Sequence, residues 1–153
     1  MTDTTRSSHP CLSMTDNIAM STGDFLLLCG RILLGWIFLR SGWGKIDNIA
    51  AYSAGFPARG LMPWMAWIAV PFEFLGGIAL ILGLATRYVV IGFIIFMLVA
   101  TFSSHAYWNF TDVAQRRIQD SAFWKNLSMT GGLLLLFVAG PGKWSLDHWL
   151  AKR

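Results

Sequence analysis

The chain alternates between long apolar runs and short polar joins. Residues 25–43 are apolar except for Arg31 and Arg40. Arg59 and Arg87 enclose 27 residues whose sole charge is Glu73. From Tyr88 to Thr111 there is no Asp, Glu, Lys or Arg, and residues 126–142 are equally free of charge. A bilayer core takes about 20 apolar residues per helix. The pattern therefore predicts an all-α fold, an antiparallel bundle of four transmembrane helices over about 25–43, 64–85, 88–108 and 125–140. Thr86-Arg87 is a short turn, so the second and third spans form a hairpin. Gly140-Pro141-Gly142 stops the fourth.

The joins carry different expectations. Residues 1–23 are polar and are predicted to lack stable structure, with Thr22 or Asp24 capping the first helix. The segment 46–63 is moderately apolar through Tyr52, Phe56 and Leu61, which suits an interfacial stretch or one folded over the bundle mouth. Residues 109–123 read as a hydrophilic loop. The tail 143–153 sets Trp144 and Trp149 among charges and is expected at the interface.

Composition agrees with a membrane protein. Of 153 residues, 55% are hydrophobic and 13% charged, the latter about half the usual soluble share. The net charge of +4 is spread over segment ends, not gathered on one face, so no nucleic-acid partner is implied. Cys11 and Cys29 form no C-x-x-C pair, which excludes a dithiol mechanism of the usual spacing. No H-x-x-x-H or E-x-x-H spacing occurs, so no metal is expected. The first span lacks a small-residue cleavage pattern and is read as a retained helix.

Charges inside the spans are the candidate chemistry, because each costs at least about 2.5–3.5 kcal/mol at the bilayer centre. Arg31 lies nine residues before Arg40, and Glu73 nine residues after Trp64. At 1.5 Å per residue both fall about 13 Å from one membrane face. Equal depth predicts a buried Arg31–Glu73 ion pair. His105, Asn126, Thr130, Lys45 and Lys125 lie nearer that face and would line a polar pocket above the pair. Gly76 and Gly77, one turn beyond Glu73, would let another backbone approach.

The ordered set GRILLGWIFLRSGWGKI, PFEFLGGIALILGLATR, WKNLSMTGGLLLL and GPGKWSLD resembles the DoxX family of small four-helix bacterial membrane proteins over about residues 25–147. That resemblance implies matches to the family's intramembrane Arg, Glu and Lys-Asn at Arg31, Glu73 and Lys125-Asn126. Its G-x-x-K after the first helix falls at Gly42 and Lys45, and its histidine at His105. It implies an inner-membrane protein linked to redox chemistry with a partner oxidoreductase.

Three functions follow. The first is a redox-linked membrane subunit that interacts with a quinone and receives electrons from a partner redox protein. The second is a structural or assembly protein without chemistry, and the third a small-solute transporter. The chain carries no self-sufficient catalytic motif. Five basic residues on the terminal side against six on the other barely discriminate orientation. Cytoplasmic termini are expected from the missing cleavable signal. A homo-oligomer is left open.

Overall fold

The computed structural model describes residues 10–153. Four of its helices are long and apolar enough to cross a membrane. α1 spans Pro10–Ile46, α2 Ile49–Ala54, α3 Met65–Leu82, α4 Thr86–Ser104, α5 Val113–Ala139 and α6 Leu146–Leu150. Short 3-10 turns occupy Pro57–Arg59 and Tyr107–Asn109. The described residues contain no strand. The expected all-α bundle with four spans is thus present, and such spans imply a lipid bilayer around it.

Two helices are longer than their apolar runs. α1 begins at Pro10, so residues 10–23 are helical where the sequence reading expected none; residues 1–9 lie outside the described residues. Proline suits the first helical position, and extending a formed helix adds one hydrogen bond per residue fixed. Neither Thr22 nor Asp24 caps a helix. Thr22 bonds back to the Ile18 carbonyl, and Asp24 Oδ1 accepts the Lys143 N–H at 2.8 Å. α5 likewise starts twelve residues before Lys125 and absorbs most of the predicted hydrophilic loop. Its N-cap is Asp112, whose carboxylate accepts from Gln115 N at 2.8 Å.

α1 packs most extensively on α3, and α4 on α5. The α1–α3 contact is made by bare backbone. A Cβ on Gly42 would lie 2.6 Å from Phe74 N, and one on Gly77 2.6 Å from Leu39 N. One on Gly35 would come 2.8 Å from Gly77 O. As α1 residue numbers fall, their α3 partners rise, so the helices run antiparallel. Close approach of this kind replaces the hydrophobic drive that lipid removes.

The core sits in the middle of the bundle. Phe38, Leu80, Val90, Phe93, Met97, Leu133 and Leu136 are buried together. Phe38 and Phe93 stack with centroids 3.9 Å apart. Trp64, Trp67, Trp108 and Trp124 are exposed toward one end, and Trp144 and Trp149 at the other. These are the two aromatic belts expected of a spanning bundle.

Candidate functional site

The α1–α3 register decides which charges meet. Gly42 faces Phe74 and Gly35 faces Ile81. Continued downward, this register carries Arg31 to the turn after α3, and Glu73 to the level of Ser41–Lys45. Arg31 and Glu73 therefore lie roughly ten residues apart along α3, about 15 Å. The predicted ion pair does not form. The depth estimate treated Arg40 as the membrane edge, but α1 continues six residues to Ile46.

Glu73 pairs with Lys45 instead. Lys45 Nζ lies 2.6 Å from Glu73 Oε2 and donates to Ser41 Oγ at 2.8 Å. Ser41 Oγ donates to Glu73 Oε1 at 3.0 Å. Ser41 and Lys45 are one turn apart on α1, so one face of one helix supplies both partners. Both carboxylate oxygens are engaged, which is what a nearly buried carboxylate requires.

This triad borders a cavity of about 390 Å³ at one end of the bundle. Across it, His105 Nδ1 sits 2.7 Å from Gln119 Oε1. With that oxygen accepting, Nδ1 carries the proton and Nε2 is the ring's acceptor. Lys125 and the buried Asn126 also line the cavity, as do Tyr52 of α2 and Arg59 of the 3-10 turn that follows it. The lower wall is apolar, made by Phe38, Phe96, Met97 and Met129. Beneath it the Phe38–Phe93 stack and Leu133 fill the bundle axis, so the cavity ends in packed core.

Of the seven residues expected in the pocket, Glu73, Lys45, His105, Lys125 and Asn126 line it. Thr130 does not. Its hydroxyl donates to the Asn126 carbonyl at 2.9 Å, a back-bond within α5. Sequence reasoning missed Ser41 and Gln119. Ser41 was legible as the residue one turn before Lys45. Gln119 was hidden because its segment was read as loop.

Arg31 occupies the opposite end and is fully buried. Its Nη2 donates to the Trp144 carbonyl. Nε and Nη1, with Thr86 Oγ1, find no hydrogen-bond partner among the described residues. The guanidinium lies against Gly83, where a Cβ would fall 1.6 Å from Nη1. Asp147 stands close by. Its two oxygens accept the N–H groups of Ala85 at 2.6 Å and Thr86 at 2.8 Å. These are orphan donors at the start of α4, so a residue from the tail caps that helix. Burial pushes the Asp147 carboxyl up, but the Thr86 and Ala85 hydrogen bonds and the Arg31 charge outweigh it and hold its pKa below the usual value.

The family model described as DoxX matches residues 26–106. The chain belongs to the DoxX family. It is 35% identical over 130 residues to inner membrane protein YqjF of Escherichia coli (strain K12), covering 85% of this chain and 95% of that one. Inner membrane protein YphA of the same organism is 38% identical over 129 residues, covering 80% and 89%. The uncharacterized membrane protein Rv3486 of Mycobacterium tuberculosis is 28% identical over 146 residues, covering 83% and 82%. No solved structure matches this DoxX-family chain. The DoxX match takes in Ser41, Lys45, Glu73 and His105, while Gln119, Lys125 and Asn126 lie beyond it.

Proposed function

We propose that this protein is a quinone-interacting subunit of the inner membrane that works with a partner oxidoreductase. The observation that carries this reading is the composition of the cavity. Hydrogen-bonding and proton-carrying groups, Lys45–Glu73–Ser41 and His105–Gln119, face one another over an apolar floor of Phe38, Phe96 and Met97. A quinone ring needs those two features together: flat apolar surfaces for its faces and donors for its carbonyl oxygens. Reduction consumes two electrons and two protons per quinone. The electrons come from the partner, a dehydrogenase-type protein. The protons reach the carbonyl oxygens from the cavity's own groups, among them the His105 imidazole. The inner-membrane location is supported by the two Escherichia coli relatives, which are named as inner membrane proteins. A transporter would need a polar path to the other end, and packed core stands there instead.

The test is quinone content after purification, read by mass spectrometry on solvent extracts. Wild type is expected to retain quinone. Glu73→Gln, which keeps the shape and removes the charge that holds Lys45, is expected to lose most of it while remaining folded. A wild-type protein free of quinone, when purified from quinone-replete membranes, would contradict the proposal.

A further inference from the structure

A second hollow, about 430 Å³, lies between α3 and α4 on the outside of the bundle. Its walls are almost wholly apolar, including Ile68, Phe72, Ile95 and Val99. It is not a separate feature. Tyr52, Arg59, Phe96, Ala100 and Ser104 line both it and the polar cavity, so the two spaces meet along one rim. The rim is polar in part: Tyr52 stands between two cations, with Lys45 Nζ 4.9 Å and Arg59 Cζ 5.7 Å from its ring centre. Behind the groove, Gly92 leaves α4 bare. A Cβ there would meet Phe72 Cζ at 2.6 Å, so the glycine makes room for the tip of the Phe72 ring in the groove wall.

We propose that this groove is the tail site of the quinone bound in the cavity, and that the quinone enters sideways from the bilayer past Tyr52. The inference rests on the quinone reading above and assigns the ligand class more narrowly, as an isoprenoid-tailed quinone. Three features favour a tail over an unrelated docked partner. The groove opens on the spanning portions of α3 and α4, where lipid is the surrounding medium. From Trp64 to Phe72 it follows α3 for roughly 12 Å, enough for the first isoprenoid units and no more. Its inner end leads directly to the polar head chamber, and its outer walls, Ile68 and Ile95, are 62% and 59% exposed. A head group held by Lys45, Glu73 and His105 would place its ring substituent at that junction.

Two photoreactive ubiquinone analogues test this on the full-length protein in detergent, one with a diazirine on the ring and one on the second isoprenoid unit. The expected result is ring label on cavity peptides of α1 and α5, and tail label on α3 and α4 groove peptides. Excess unlabelled ubiquinone should compete both, and excess phospholipid neither. Ile95→Trp fills the groove from an exposed position that the fold does not depend on. It should cut the competed tail label about tenfold. Competed ring label with tail label elsewhere, uncompeted, or displaced equally by phospholipid would overturn the groove assignment and leave the quinone reading standing. Competed tail label in the groove without ring label in the cavity would overturn the continuity on which the assignment depends. No competed label from either probe would overturn both.

Discussion

The two ends of this bundle each hold a charge that a membrane helix should avoid, and they handle it in opposite ways. At one end Glu73 is matched by Lys45 and Ser41 and stands beside open space. At the other Arg31 is sealed against Gly83 and the Trp144 carbonyl, with the tail folded over it and Asp147 nearby. A paired charge next to a cavity can meet a ligand. A charge buried under its own chain fixes where that chain goes. On the proposed function, the contrast puts ligand binding at the Glu73 end and architecture at the Arg31 end.

The sharpest way to break the contrast is at Gly83. Its φ is +68°, and a side chain there would occupy the space of the Arg31 guanidinium. Gly83→Val combines a left-handed penalty of about 1–2 kcal/mol with overpacking of about 1–3 kcal/mol. It should lower the midpoint of thermal unfolding in detergent markedly. It should also free residues 143–153 to added protease.

Next comes the Lys45–Glu73 pair. Removing one partner of a buried pair costs up to about 3–5 kcal/mol, and removing both is often nearly neutral. Lys45 is partly exposed, so Lys45→Met should fall near the lower bound, about 3 kcal/mol. Lys45→Met/Glu73→Gln should recover most of that. Unfolding midpoints of the two singles and the double close the cycle. Additive losses would mean that the pair is not coupled.

The smallest expected effect is a pH dependence of the tail. The folded Asp147 pKa lies below its ordinary value. Its contribution is therefore fully present above the usual carboxylate range, near about pH 4, and is lost as pH falls through the lowered pKa. Protection of the Ala85 and Thr86 amides, taken relative to the intrinsic exchange rate at each pH, should stay high at pH 5 and fall below about pH 4. In Asp147→Asn that protection should be lower throughout and insensitive to that range.

The sequence made the spans legible because lipid imposes one unambiguous demand, a long run without charge. It also made Glu73, Lys45, His105, Lys125 and Asn126 stand out as polar groups near one membrane face, and the structure gathers them around one cavity. Register was not legible. It is set by where Gly35, Gly42 and Gly77 let backbones touch, and a count from Arg40 missed that by several residues. The true partner of Glu73, Lys45, is legible in the sequence only as one more pocket-lining group nearer the membrane face. The polar start of α5 looked like loop because its helix is stabilised by Asp112 and outward polar residues, not by an apolar run. The cap of α4 by Asp147 joins residues 61 and 62 positions apart, a distance across which no local pattern reports.

The most direct test of the division is quinone affinity measured at both ends. Purified wild type, Glu73→Gln and Arg31→Lys would be titrated with ubiquinone, scoring only the folded fraction. The account predicts that Glu73→Gln weakens binding at least about tenfold, while Arg31→Lys binds as wild type even where it unfolds at lower temperature. Binding lost in folded Arg31→Lys and kept in Glu73→Gln would contradict it.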